Sequence, residues 1–383
     1  MSLSLTPAEL ALLRLTMLPG VGSTISHALL EDFDNHPERI FEATADELAQ
    51  NPNIRPSLAR LIRSEDSLRK AEEELRTLSE RAAVGETITP LFYGEKGYPD
   101  YLLNCADSPL VLYVKGALPI DSPMIAIVGT RRCTTYAADV IERMIGRWAE
   151  LRPDLVIVSG LAYGVDALAH RAAVKHGLRS VGVVAHGHYT LYPSRHRDLV
   201  AEMIHSGGGV VTEYGYHTRA FPQHFVLRNR IVAGMTRATV VVESARRGGA
   251  LITAGLALDY GRSVFAVPGR IFDSTSEGCN RLLTDQRATC LTDPETLLEE
   301  LSLLPEVSTK RQLPFAEEAE RDEDPILAAL QEAGALTLND LSMRLGESPG
   351  ILSGRLFELE LSGKVRSLPG ARYERTSRGS HPT

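Results

Sequence analysis

Apolar positions along this chain follow three different rhythms, and the changes of rhythm divide it. From Leu5 to about Leu78, in AELALLRLTMLPG and SLARLIRSEDSLRKAEEEL, they recur at spacings of three and four, predicting helices with one buried stripe each. Between about Thr89 and Leu291, short continuous runs (MIAIVG, DLVIVSG, SVGVVAHG, GVVTEY, ATVVVES, SVFAVPG) alternate with helical stretches such as AADVIERMIGRWAEL, DALAHRAAVKHG and ALITAGLALDYG. A run that is apolar at every position predicts a strand buried on both faces. Strands of that kind alternating with helices imply an α/β fold, a doubly wound parallel sheet with right-handed crossovers. Nearer the C-terminus, ILAALQEAG, LTLNDLSMRLGESPG, ILSGRLFELELSGKV and RSLPGARYERT predict three helices and a two-stranded wing, the order of a winged helix-turn-helix.

These changes place the boundaries. Residues 1–85 are expected as a helical domain, 86–304 as the α/β domain and 324–375 as the winged helix. The stretch 305–323, within LLPEVSTKRQLPFAEEAERDEDP, mixes proline with acid and has no apolar period, so a flexible acidic linker is expected. The tail 376–383 is expected to be disordered. In the first domain LPGVGSTISHALLE sets Gly20 and Gly22 between two helices. Such a turn resembles the helix-hairpin-helix turn, whose exposed N–H groups can contact a phosphate, and is equally a plain structural hairpin.

Composition narrows the class. The 383 residues are 43% hydrophobic and 23% charged, ordinary values for a globular protein. No apolar run approaches the roughly 18 residues needed to cross a bilayer, and MSLSLTPAEL lacks the basic start of a signal peptide, so a cytoplasmic protein without membrane association is expected. Cys105, Cys133, Cys279 and Cys290 form no metal-binding or disulfide pattern. A net charge of -8 argues on its face against a nucleic-acid partner, yet the acid lies in segments such as EEAERDEDP while HTRAFPQHFVLRNR and SARRGG are basic. One cationic face is compatible with an acidic total.

Candidate chemistry sits in four loops that follow strands: GTRRCTTYA, SGLAYGVD, AHGHYTLYPSRHRDL and ESARRGGALIT. Each offers glycines for close backbone approach and a helix N-terminus for an anion, at the strand ends where doubly wound sheets bind ligands. None matches the dinucleotide GxGxxG, the Walker lysine motif or a nucleophile elbow, so no cofactor is expected. Asp166 and His170, four residues apart on one helical face, suit a metal or an acid–base pair by spacing. No further ligands appear at diagnostic spacing, so a first-turn cap for Asp166 and a packing or loop-bracing bond for His170 are the better reading, with no metal. In HFVLRNRIVAGM, Arg228 and Arg230 flank Asn229; they can pair with phosphates, or lock a loop against Glu213 or Glu243.

Taken in order, IVGTRRCTTYA, SGLAYGVDALAH, LYPSRHRDL, TEY, FVLRNRIVAGM, GGALITAGLALDYGRSVFAVPG and GCNRLL make the chain resemble the DprA, or Smf, family of DNA-processing proteins. His196 departs from the family's usual asparagine after Tyr-Pro, and Gly248-Gly249-Ala250 varies its Ser-Gly-Ser. The resemblance implies an extended Rossmann-like domain between an N-terminal helical domain of SAM or helix-hairpin-helix type and a DML1-like winged helix. It implies a non-enzymatic, usually dimeric cytoplasmic protein that binds single-stranded DNA and helps load RecA recombinase onto it in natural transformation or recombination. Carried over residue by residue, it makes Arg131, Arg195 and Arg197 phosphate contacts. Gly129, Thr130, Ser159, Gly160, Arg228, Asn229, Arg230, Gly248 and Gly249 then line or shape the site, braced by Asp166 and His170. Tyr189, Tyr192, Phe221 and Phe225 lie near these residues in sequence, as base-stacking or core aromatics. A Rossmann-like nucleotide N-glycosidase is the enzymatic alternative, but the helix after Gly248-Gly249 supplies no glutamate. A duplex-reading winged helix is another, but its presumptive recognition helix carries Glu358 and Glu360 beside Arg355.

Overall fold

The computed structural model describes residues 4–50, 52, 54–304 and 324–376. The expected linker 305–323 and the tail from residue 377 lie outside the described residues. The chain divides into two compact units, Met1–Val307 and Ser308–Thr383.

In the first unit six helices come first: α1 (Pro7–Thr16), α2 (Ser23–Asp32), α3 (Pro37–Glu42), α4 (Ala45–Leu48), α5 (Pro56–Ile62) and α6 (Asp66–Ala83). Thr6 opens α1 with a reciprocal capping box to Glu9, which satisfies two end N–H groups at once. Leu12, Leu15, Leu29, Ile40 and Ile62 close over Ile88, Phe92, Val111 and Tyr113, so the helical cap shares one core with the edge of the sheet behind it. Polar ties fix the same junction: Glu74 accepts the Tyr216 N–H at 2.7 Å, and Glu86 accepts from both Lys115 and Arg81. Against the opposing effect of burial, those two cations hold the Glu86 carboxyl down at about 2.

The sheet has nine strands in the order β1-β2-β6-β5-β4-β3-β7-β8-β9. They are β1 (Ile88–Phe92), β2 (Val111–Gly116), β3 (Met124–Val128), β4 (Val156–Ser159), β5 (Arg179–Val183), β6 (Gly209–Thr212), β7 (Ala238–Val241), β8 (Ser263–Ala266) and β9 (Thr289–Cys290). Every strand predicted from a continuous apolar run is present, and β3 to β9 pair in parallel. To this doubly wound parallel sheet β1 and β2 add an antiparallel edge through β6. Those two strands carry Pro90 and Lys115, so they lack the unbroken Val/Ile signature of the centre.

Alternate residues of each central strand feed two different cores. Ala126, Val158 and Val241 face Ile231, Val232 and Ala254 from α11 (Pro222–Gly234) and α12 (Gly249–Asp259), with the short α7 (Asp100–Leu103) on the same side. Ile125, Ile127, Ile157 and Val240 face Ile141 and Trp148 of α8 (Thr135–Leu151), Ala169 of α9 (Val165–Lys175) and Leu297 of α14 (Pro294–Glu300). The helices α10 (Arg197–His205) and α13 (Glu277–Thr284) complete the wrapping. Since β3 has β4 on one side and β7 on the other, the chain reverses its direction of winding between β3 and β7. In a doubly wound sheet that reversal opens a crevice at the strand carboxyl ends.

The second unit is a winged helix with its own core of Ile326, Leu330, Leu341, Leu352, Leu356 and Val365. Its elements are α15 (Pro325–Ala333), β10 (Leu336–Thr337), α16 (Leu338–Leu345), α17 (Pro349–Leu361), β11 (Val365–Leu368) and β12 (Arg372–Arg375). Thr337 and Asp340 form the capping box of α16.

Candidate functional site

Four loops leave the carboxyl ends of β3, β4, β5 and β7, and three of them enclose a cleft of about 310 Å³ at the switch point. After β3, Gly129 lies so close to its neighbours that a β-carbon there would stand 2.5 Å from Val165 Cγ2 and 2.9 Å from the Glu243 carbonyl. The loop is then pinned from two sides. Thr130 donates its N–H to Glu243 O at 2.8 Å, and Val165 N–H reaches Thr130 O. Thr134 caps α8 and gives both its N–H and its hydroxyl to the buried Glu243 carboxylate, at 3.0 and 2.5 Å. Arg131, the residue these contacts hold out, is exposed, lies 5.8 Å above the Phe225 ring, and has no ion-pair partner among the described residues.

After β4 the backbone turns through Gly160 and Gly164. Gly164 has φ +76°, and any side chain there would run into the Thr130 carbonyl. Leu161 also adopts a positive φ of 54°, held by packing on every side and by the His196 Nδ1 contact to its carbonyl at 3.0 Å. Asp166 braces this loop by accepting the Ala162 N–H at 3.2 Å. Burial pushes the Asp166 carboxyl up, opposed by the nearby Arg228 charge. His170 does something other than brace the loop. Its Nδ1 meets Ser180 Oγ at 2.7 Å, and Ser180 in turn donates to Ile157 O, so it ties β5 to β4 inside the sheet. The imidazole that braces the loop is His196.

The two arginines of α11 have separate fates. Arg228 is buried beneath the cleft, where its Nη1 donates to the carbonyls of Gly160, at 2.5 Å, and Val183. Burial pulls its pKa down to about 10. Arg230 points the other way and pairs with Glu213 at 2.5 Å, both largely buried. Glu243, the other carboxylate considered for these arginines, is taken by Thr134. Gly248 and Gly249 open α12 and line the cleft.

The structure therefore brings Gly129, Thr130, Arg131, Gly160, Asp166, Arg228, Asn229, Gly248 and Gly249 together around one cavity. Ser159 is buried behind it, bonded to Ile127 O at 2.5 Å. Arg195 and Arg197 are exposed on the short helix after Tyr192-Pro193 and at the start of α10, outside the cleft lining. Sequence reading passed over Tyr163, exposed in the Gly160–Gly164 loop with its ring 5.3 Å from His196. Phe225 lines the cleft and meets Tyr192 edge-on at 5.6 Å; Tyr192, Tyr189 and Phe221 are at least half exposed or close to it, at 50%, 62% and 49%. Neither a group of three or more metal-ligating side chains nor a helix long and apolar enough to cross a membrane occurs among the described residues.

The cleft, lined by glycines and arginines, thus lies at the switch point of a doubly wound α/β sheet, on a chain that also carries a winged helix. The family model described as DNA recombination-mediator protein A matches residues 89–302, and the DprA winged helix domain matches residues 311–371. Protein Smf of Escherichia coli is 34% identical over 304 residues, which span 74% of this chain and 76% of that one. Among solved structures, DNA processing protein A of Streptococcus pneumoniae aligns with a TM-score of 0.63 at 28% identity, covering 78% of this chain and 99% of its own. DNA processing protein A of Helicobacter pylori, described for its single-stranded DNA binding mode, aligns with a TM-score of 0.50 at 25% identity, covering 56% and 95%. The chain belongs to the DprA/Smf family of DNA-processing proteins.

Proposed function

We propose that this chain binds single-stranded DNA in the switch-point cleft, without chemically altering it, and acts as a recombination mediator. The observation that carries this reading is Arg131. A guanidinium held out over an aromatic ring, beside backbone N–H groups at two helix starts, suits a phosphate with a base stacked next to it. Asp166 is the one carboxylate lining the cleft, and it is engaged by Ala162 N–H and by the field of Arg228, which leaves it poorly placed as a general base. The helix α12 brings no glutamate to the cleft, which weighs against the N-glycosidase alternative. Loading of RecA onto the bound strand, and a homodimer as the working form, belong to the same reading and are supported by family membership.

The winged helix fits a protein-contacting role. In α17 the one basic side chain, Arg355, is taken up by Glu347 at 2.9 Å and Asp324 at 3.0 Å, while Ile351, Phe357 and Leu361 are exposed. Such a helix offers little to the phosphates of a duplex.

The test is fluorescence anisotropy with labelled poly-dT and a matched duplex across a salt series, on wild type and Arg131→Ala. A single-strand preference whose salt slope shallows by about 0.7, the share of one phosphate, in the variant is expected. Equal binding to both DNAs, untouched by the substitution, would overturn the assignment.

A further inference from the structure

Beside the switch-point cleft lies a second one, of about 400 Å³, lined by Arg246, Arg247, Arg281 and Arg287 with Leu251, Leu282 and Asp285. The two clefts flank a single loop. Ser244, Ala245, Gly248 and Gly249 face the first, while Arg246 and Arg247 between them face the second. From that loop the second cleft descends between α12 and α13. At its upper end α13 is clamped against the loop: Gly278 donates its N–H to Ser244 O at 2.8 Å, and a β-carbon on Gly278 would stand 2.7 Å from Ala245 O. Further down, Arg287 lies over Gly255 of α12.

The charge of this cleft is out of balance. Four guanidiniums face one carboxylate, Asp285, which pairs with Arg281 at 3.2 Å. Arg246, Arg247 and Arg287 have no ion-pair partner among the described residues, and all four arginines are exposed. Gathering like charges on one wall is unfavourable by itself and is relieved by a polyanion, whose binding also releases condensed counterions. The clamp at Gly278 holds α13 against the loop that both clefts line, so this arginine wall stands directly beside the switch-point cleft.

We propose that the α12–α13 cleft is a second phosphate subsite that receives the continuation of the strand held in the switch-point cleft. The inference rests on the single-strand reading above and deepens it: the footprint is longer than one cleft, and its second half is read by Arg246, Arg247, Arg281 and Arg287 through the backbone, independent of base sequence.

The experiment is anisotropy with oligo-dT of about six and about twenty nucleotides, lengths that bracket single-strand site sizes, on wild type, Arg281→Gln/Arg287→Gln, Arg281→Lys/Arg287→Lys, Asp285→Asn and Arg131→Ala. The glutamine pair is expected to bind the short oligonucleotide as wild type does. On the long one it loses on the order of tenfold, with a salt slope shallower by about 1.4, the share of two phosphates on a single strand. The lysine pair restores most of that loss, and Asp285→Asn tightens the long oligonucleotide alone. Thermal melts of the exposed-site variants, expected to match wild type, separate these losses from misfolding. Wild-type behaviour of the glutamine pair on both lengths, while Arg131→Ala weakens both, overturns the second subsite and leaves the switch-point site standing. Equal weakening on both lengths overturns the proposed order of the two clefts. Failure of Arg131→Ala to alter binding at either length counts against the switch-point reading itself, and the subsite falls with it.

Discussion

Arg228 Nη1 donates to the carbonyl of Gly160 at 2.5 Å, and the guanidinium lies so close that a β-carbon on Gly160 would stand 2.5 Å from its Nη2 and 2.8 Å from the Asp166 carboxylate. The glycine is there for room beneath the cleft rather than for a special backbone angle. Gly160→Ala is therefore expected to push Arg228 off the Gly160 and Val183 carbonyls and leave a buried cation under-bonded. The loss should be about 2–4 kcal/mol, measurable by urea denaturation, with single-strand binding falling in parallel.

Gly249 makes the opposite case. No atom lies within 4 Å of where its β-carbon would be, and its φ is not in the left-handed region. Gly249→Ala should fold normally and gain up to about 1 kcal/mol from helix propensity at the start of α12. If the glycine serves close approach of a phosphate to the helix N-terminus, the stabler variant binds oligo-dT more weakly. A variant that binds as wild type would remove Gly249 from the site.

Arg230 and Glu213 form a one-contact pair in which Arg230 Nη1 and Glu213 Oε1 find no protein partner. Burial pushes the Glu213 carboxyl up, against the pull of Arg230. Removing one member leaves the other charge buried, so Arg230→Ala is expected to cost about 3–5 kcal/mol. The double change Arg230→Met/Glu213→Leu, which leaves no orphan charge, should recover most of that. Binding of single strands by the double variant should match wild type, since this pair points away from the cleft.

The contrast between Arg228 and Arg230 marks how far sequence carries. Strands came through because each run of Val and Ile is buried on both faces, and the glycine loops because they must follow those strands. The antiparallel β1 and β2 were missed because β1, at the sheet edge, alternates and carries Pro90, while the buried run of β2 is short and ends in Lys115 and Gly116. Two arginines two positions apart look equivalent in HFVLRNR, yet neighbours at that spacing on a helix point in different directions. One meets the carbonyls of Gly160, just past β4, and of Val183, at the end of β5; the other meets the carboxylate after β6. The role of Glu243 was equally hidden, since its partner Thr134 lies 109 residues away and only the pairing of β3 with β7 brings them together. His170 shows the same limit: its spacing from Asp166 was visible, but its partner on β5 was not.

That histidine also sets a pH dependence. Ser180 Oγ donates to Ile157 O and so accepts from His170 Nδ1–H, leaving His170 Nε2 buried without a partner. A proton added there would be desolvated and would face the charges of His196 and Arg228, and these effects, burial foremost, hold the imidazole at about 3. In the unfolded chain it titrates near 6.5. Between those values the unfolded state binds the proton and the folded state does not. Stability is then full above about pH 6.5 and falls as pH drops toward 3, by about 1.4 kcal/mol per unit for this one group. His188, held at about 4 chiefly by burial, adds in the same direction. Urea unfolding from pH 7 to 4.5 should show this decline, and His170→Asn should flatten it by about 1.4 kcal/mol per unit, whatever it does to stability at neutral pH. An unchanged slope in the variant would mean that the buried His170 is not the group that takes up the proton on unfolding.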